Sequence, residues 1–213
     1  EKTANQIYDD MTDFAKYAFN KSHAAAYAVV AYQTAFLKYY YPKEFMAALM
    51  TSVMDNTTKV SEYILACRNM GIPILPPDIN EGYSGFSVSG NGIRYGLSAI
   101  KSVGRAVVDV IIAERESGGL FKNLDDFVSR MSNKEVNKRT LESFIKSGAL
   151  DTLPGTRKQK LIVSGDLLES KSKEKKTVME GQMSFFDIAP EEEKDNFHIT
   201  FPDVGEYDKQ TLL

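Results

Sequence analysis

Apolar residues recur at helical spacing through most of the chain, the interval that turns one face of an α-helix toward a core. Ile7, Met11, Phe14, Ala15 and Ala18 predict a helix over residues 3–18. Tyr17–His23 interrupts it, and Ser22 is placed to cap a second helix running to about Tyr40. That second helix is apolar almost all round, which predicts burial on most of its sides. Pro42 suits the first turn of a third helix, whose stripe is Phe45, Leu49, Met50 and Val53. Asn56 or Thr57 opens a fourth, with Val60, Ile64 and Cys67 inward and Gly71 at its end.

The pattern then changes. Pro73, Pro76 and Pro77 stop helical structure. Phe86–Gly96 alternates apolar and polar residues about Asn91-Gly92, which predicts a small β-hairpin. Leu97–Ile112 reads as a helix, a tight turn at Ile100-Lys101-Ser102-Val103-Gly104, and a second helix with Val107, Val108, Ile111 and Ile112 inward. Asn123 caps Leu124–Met131, Asn137–Lys146 leads into a further glycine turn, and Thr156 caps a last helix to about Leu168. Residues 169–180 are charged and poor in apolar groups, so a flexible linker is expected there. Beyond it, Met183, Phe185, Phe186 and Ile188 form a small apolar knot in acidic text.

The turn at 100–104 is the first candidate for chemistry. Gly104 can take a positive φ or let a partner approach the backbone closely. A turn that opens a helix leaves N–H groups without internal acceptors, and the positive helix end beside Lys101 and Arg105 favours an anion. The pattern resembles a helix-hairpin-helix motif, whose natural anion is a nucleic-acid phosphate. Lys101, Ser102, Val103, Gly104 and Arg105 are therefore candidate DNA contacts. An echo at Ile145-Lys146-Ser147-Gly148 adds Lys146, Ser147 and Gly148. The alternative is that both are ordinary turns between helices, closed by glycine C-caps.

Charge sharpens this picture. The net charge is −3, but residues 1–93 carry −2, residues 94–176 carry +6 and residues 177–213 carry −7. The basic block coincides with the two turns, where a polyanion is expected. The acidic tail suits a linker or a different partner. Asn20-Lys21-Ser22-His23 places four consecutive donors at a helix start. Phosphate or primer contact is one reading, and a capped turn with an exposed lysine and a hydrogen-bonded histidine is the other.

Several classes are set aside. No apolar run reaches membrane-spanning length, and the first residues lack the apolar core of a signal peptide. The single cysteine, Cys67, excludes an internal disulfide and a cysteine-rich zinc site, which points to a cytoplasmic location. His23 and His198 are too isolated for a metal site. Asp9-Asp10 and Asp125-Asp126 are read as solvated helix charges rather than metal ligands. With no initiator Met, the chain is expected to be a piece of a longer protein.

Longer stretches carry a resemblance. Asn20-Lys-Ser-His-Ala-Ala-Ala-Tyr-Ala28, Tyr41-Pro-Lys-Glu-Phe-Met-Ala-Ala-Leu49, Cys67-Arg-Asn-Met-Gly-Ile-Pro-Ile-Leu-Pro-Pro-Asp-Ile-Asn80 and Asn137-Lys-Arg-Thr-Leu-Glu-Ser-Phe-Ile-Lys-Ser-Gly-Ala-Leu-Asp151 are similar, in order, to the C-family bacterial replicative DNA polymerases, the polymerase III alpha subunits. The resemblance implies a mainly α fold: a helical fingers segment over 1–80, a β-hairpin with tandem helix-hairpin-helix turns over 81–168, and a flexible linker with an acidic tail over 169–213. It implies a DNA-directed DNA polymerase as parent, with DNA, the sliding clamp and other replicase subunits as partners. Mg²⁺ would be held by residues outside this chain, so the fragment alone is expected to contain no catalytic residue. Asn20, Lys21, Ser22 and His23 would contact nucleotide or primer-template. Gln182-Met183-Ser184-Phe185-Phe186 resembles the family's clamp-binding peptide, with Phe185 where leucine is often found. The competing reading is a non-catalytic helix-hairpin-helix adaptor.

Overall fold

The computed structural model describes residues 2–16, 21–131, 136–179 and 201. The chain divides into two compact units between Phe45 and Met46.

The first unit holds α1 (Lys2–Lys16), α2 (Lys21–Tyr40) and the start of α3 (Pro42–Ser52). Ile7, Met11, Phe14 and Ala15 do share one face of α1, where they line a groove with Asp10. The helix α2 corrects two expectations. It begins at Lys21, so Ser22 lies inside the helix rather than at its cap. No residue of α2 is buried, and Tyr27, Val30, Tyr32 and Phe36 are exposed. Its all-round apolar text describes a helix suited to burial, yet its own unit leaves it uncovered.

The second unit opens with the end of α3, which buries Met46, Ala47 and Met50, while Phe45 and Leu49 are only half-buried. Next comes α4 (Thr57–Asn69). The Asn56 side chain accepts from the Lys59 N–H at 3.1 Å, and Val60 and Cys67 face inward. At its far end the Ile72 N–H reaches back to Cys67 O, with Gly71 at φ 72°.

The β-hairpin forms from β2 (Ser87–Ser89) and β3 (Gly92–Arg94), antiparallel. Its tip is Gly90-Asn91, one residue earlier than expected, because Gly90 carries the positive φ that a two-residue hairpin loop needs. Gly92 instead pairs with Ser89 inside the ladder. A third strand, β1 (Ile74–Leu75), lies parallel to β3 and gives the order β1-β3-β2. The proline-rich text concealed it: Pro73 O still accepts from the Ile93 N–H at 2.9 Å.

The helix expected before the 100–104 turn is a single 3₁₀ turn, Leu97–Ala99. The chain continues through α5 (Arg105–Gly118), α6 (Leu124–Met131), α7 (Lys138–Ser147) and α8 (Arg157–Met179). Asn123 and Asn137 cap α6 and α7 as the sequence predicts, accepting from the Asp126 and Thr140 N–H groups at 2.8 and 3.0 Å. Thr156 and Gln159 cap each other's N–H groups at the start of α8, a reciprocal capping box. The helix does not stop near Leu168. It runs on to Met179, through residues expected to be a flexible linker, because Glu, Lys and Met are good helix formers and no Gly or Pro interrupts them. Lys171 pairs with Asp125 of α6 at 3.5 Å.

One core joins these elements. Leu97, Val103, Val107, Val108 and Ile111 pack with Phe127, Leu141, Phe144, Leu150 and Leu167, and Ile79 joins them. Its rim is held by buried polar groups. Arg115 donates to Ile79 O and Gly82 O at 3.0 and 2.9 Å. Asn80 exchanges hydrogen bonds with both backbone groups of Phe121. The Asp78 carboxylate accepts from the Asn80 and Glu81 N–H groups. The segment Pro77–Asn80 is thus a staple between the small sheet and the helices.

Candidate nucleic-acid interface

The turn at 100–104 is built outward from two anchors. The Leu97 N–H donates to Tyr83 O at 2.9 Å and the Ser98 N–H to Ser84 O at 3.1 Å, which ties the 3₁₀ turn to the sheet side. Ile100 and Val103 are buried, so Lys101 and Ser102 between them project into solvent. The Val103 N–H closes the turn on Ile100 O at 3.1 Å.

The positive φ falls on Ser102, at 69°, not on Gly104, whose φ is −82°. Gly104 is the N-cap of α5, and no side chain caps this helix end. A Cβ at Gly104 would meet no atom within 4 Å. The chain's own packing therefore does not require glycine here. What glycine provides is bare space beside the first N–H groups of α5, flanked by exposed Lys101 and Arg105.

The second turn is of a different kind. Ile145–Gly148 ends α7 instead of opening a helix. Gly148 takes φ 85°, its N–H donates to Ile145 O, and the Ala149 N–H donates to Phe144 O. This is a Schellman closure, so the groups at this end are carbonyls and the dipole is negative. Arg157 donates to Lys146 O at 3.2 Å and holds the Asp151 carboxylate with Nε at 2.9 Å. The Lys146 ammonium pairs with Glu142 at 2.9 Å, and this pairing holds the Glu142 carboxyl below its ordinary range.

The structural counterpart of the first turn is Val136-Asn137-Lys138. Val136 is buried like Val103, Asn137 caps α7 where Gly104 caps α5, and Lys138 and Arg139 are exposed where Arg105 is. Buried Thr140 and Leu141 then match buried Val107 and Val108. The signal was present in the sequence: Val103-Gly-Arg-Ala-Val-Val108 and Val136-Asn-Lys-Arg-Thr-Leu141 share a frame of valine, cap and basic residue that ends on an apolar residue five positions on, 33 residues apart. A search for glycine at the turn hid it, since asparagine serves as the cap.

The structure does bring the two anticipated turns together. Lys101 and Ser102 from one, and Lys146 and Ser147 from the other, line one cleft of about 620 Å³. Lys21, Ser22 and His23 form the first turn of α2, with the His23 ring 4.4 Å from that of Tyr27. Asn20 and Gln182–Phe186 lie outside the described residues.

Lys160 supports the interface from beneath. It is fully buried and donates to Leu150 O at 2.6 Å and Leu153 O at 2.8 Å, fixing the turn after α7. Burial lowers its pKa to about 8, with Arg157 adding to the shift and Asp151 opposing it.

Among the described residues, no group of three or more His, Cys, Asp or Glu is gathered to hold a metal ion. The acidic pair in α6 is committed elsewhere: Asp126 accepts from the Lys122 N–H and pairs with Arg130, while Asp125 pairs with Lys171. Among the same residues, no helix is long and apolar enough to cross a membrane.

Residues 71–160 match the family described as a helix-hairpin-helix motif. The chain is 47% identical over 193 residues to DNA polymerase III subunit alpha of Vibrio cholerae, covering 89% of this chain and 17% of that protein. It is 52% identical over 151 residues to the subunit of the same name from Thermus aquaticus, covering 71% and 12% respectively.

This chain is homologous to a segment of DNA polymerase III subunit alpha.

The Escherichia coli alpha subunit agrees, at 46% identity over 190 residues, covering 89% of this chain and 16% of that protein. The chain thus spans less than a fifth of the length of these alpha subunits. The helix-hairpin-helix match contains both Val103–Arg105 and Val136–Arg139, the two places where a buried valine precedes a helix start flanked by exposed cations.

Proposed function

We propose that this segment grips the backbone of duplex DNA for a replicative DNA-directed DNA polymerase acting in the cytoplasm. The observation that carries the reading is the start of α5, a helix end with no capping side chain, open space at Gly104, and Lys101 and Arg105 beside it. Such an end satisfies a phosphate with backbone N–H groups and cations and does not read bases. The helix-hairpin-helix match and the alpha-subunit relatives support the same reading. The start of α7 is the second grip, through Lys138 and Arg139. Lys146, Ser147 and Gly148, at the carbonyl end of α7, serve as its flank.

Gly104→Val tests the grip. The extended backbone at Gly104 accepts a β-carbon, which meets no neighbour; valine is a poorer N-cap than glycine, so the variant folds with a loss of about 1 kcal/mol. Blunt-duplex affinity falls about tenfold as the side chain occupies the phosphate's approach, since one blocked backbone contact costs on the order of 1.4 kcal/mol. Unchanged affinity in a folded variant removes the turn from the reading.

The rest of the proposal concerns the whole polymerase. Nucleotidyl transfer and its Mg²⁺ are assigned to residues outside this segment; among the described residues, the acidic pair of α6 is engaged in structural contacts. Asn20, Lys21, Ser22 and His23 contact nucleotide or primer-template. Gln182, Met183, Ser184, Phe185 and Phe186 dock on the sliding clamp, the glutamine amide in a polar subsite and the paired aromatic rings in an apolar one. Other replicase subunits bind elsewhere on the polypeptide. Alanine at Gln182, Phe185 and Phe186 abolishes clamp binding in calorimetry and leaves duplex binding intact; wild-type clamp affinity in that variant overturns the peptide assignment.

A further inference from the structure

The cleft beside the first turn has a composition that backbone contact does not explain. Its floor is Pro77, Tyr95 and Ile100, while Lys101 and Lys146 stand at its edge with the hydroxyls of Ser102 and Ser147. A duplex phosphate needs only the edge. An aromatic and aliphatic floor of this kind suits a flat apolar ring, and about 620 Å³ lies within the range of small-molecule sites. The Tyr95 ring is held in place rather than loose. It packs edge-on against Phe86 at 4.8 Å, and the Tyr95 backbone N–H donates to Leu75 O at 3.0 Å.

Two further observations point to a ligand here. Ser102 holds φ 69°, a strained conformation for a residue with a side chain, at the lip of the cleft. Three carbonyls at the nearby end of α7 are occupied: the Gly148 and Ala149 N–H groups take Ile145 O and Phe144 O, and Arg157 takes Lys146 O. The negative helix end that would repel an anion is therefore covered by donors.

We propose that this cleft binds a nucleoside monophosphate unit, its base against Tyr95 and Ile100 and its phosphate between Lys101 and Lys146. The ligand class differs from duplex backbone; Lys101 stands beside both sites, whereas Tyr95 and Ile100 line the cleft and Gly104 opens the helix start outside it. The unit can come from an unpaired nucleotide at the end of a strand or from a free nucleotide, which share this chemistry.

The test titrates the 213-residue chain, ¹⁵N-labelled, with deoxyadenosine 5′-monophosphate, with deoxyadenosine and with inorganic phosphate. The monophosphate shifts the Tyr95, Lys101, Ser102 and Ser147 amides and binds at least tenfold more tightly than either half alone. Tyr95→Leu weakens it at least about fivefold, the loss expected for one base–aromatic stack. Blunt-duplex affinity is unchanged in that variant, so failure of this site and failure of the duplex grip are read separately. Ser143→Trp, which fills the cleft from α7, gives the same result with Tyr95 itself unaltered. A second arm compares a blunt duplex with one carrying unpaired terminal nucleotides. Tighter binding of the overhang assigns the site to a strand end, and equal binding assigns it to free nucleotide. Phosphate alone binding as well as the monophosphate, or no shift at the cleft with up to 10 mM monophosphate, overturns the proposal.

Discussion

Lys160 makes the pH dependence of this fold calculable. Its ammonium is fully buried on two carbonyls, and burial lowers its pKa from 10.5 to about 8. Below about pH 8 both folded and unfolded chains carry the proton, and the folded state bears the full cost of the buried charge. Above that, the folded state releases the proton while the unfolded chain keeps it up to about pH 10.5, so stability rises with pH across this window. Between pH 7 and pH 10 the rise from this one group is about 2.5 kcal/mol, with about half of it complete by pH 9. Other groups titrate over the same range, including Cys67, whose thiol pKa is raised by burial. Lys160→Met separates them, because it keeps a side chain of similar length and lacks the proton. Urea unfolding followed by circular dichroism at pH 7, 9 and 10 gives the wild-type minus variant stability. That difference climbs by about 2.5 kcal/mol in favour of wild type. Its value at pH 7 combines relief from charge burial with two carbonyls left without donors, on the order of 1–3 kcal/mol each, so the slope is diagnostic and the offset is not. A difference that stays flat within about 0.5 kcal/mol refutes the desolvated ammonium.

Other perturbations have equally definite outcomes. Ser102→Gly relieves the left-handed strain and gains about 0.5 kcal/mol after the entropy cost of glycine, read as a higher Tm. Gly148→Ala loses about 2 kcal/mol or more, because φ 85° is unfavourable and the new Cβ meets the Arg157 guanidinium and the Asp151 carboxylate; chemical denaturation measures it. Lys21→Ala in the full-length polymerase raises KM for nucleotide or primer-template while stability is unchanged, and normal steady-state kinetics return Asn20–His23 to a purely structural role.

Most helices were legible because caps and stripes agree. Asn56, Asn123, Asn137 and Thr156 each accept the hydrogen bond that their position before an apolar stripe implies. The misses have particular causes. The strand Ile74–Leu75 sits between prolines and is recruited by β3, a tertiary effect with no local signal. The helix through Glu169–Met179 was hidden because charged text serves both linkers and solvated helices. At the site, Val103 and the exposed cations beside Gly104 were readable, whereas the positive φ went to Ser102, where no residue preference announces it. The glycine at 148 closes the carbonyl end of α7 and does not open a helix, a difference the sequence hides because a C-capping glycine and a hairpin glycine look alike. The Val136–Arg139 counterpart has a sequence signal that the glycine search passed over, and burial and capping seen side by side bring it out.

The salt dependence of blunt-duplex binding tests the central claim most directly. Fluorescence anisotropy over a range of salt concentrations gives the slope of log affinity against log salt for wild type, for Lys101→Ala with Arg105→Ala, and for Lys138→Ala with Arg139→Ala. Two starts of helix gripping phosphates predict that each double variant lowers the slope by about 1–2, equally on unrelated sequences. Slopes unchanged from wild type in both folded variants would contradict a duplex grip built on the starts of α5 and α7.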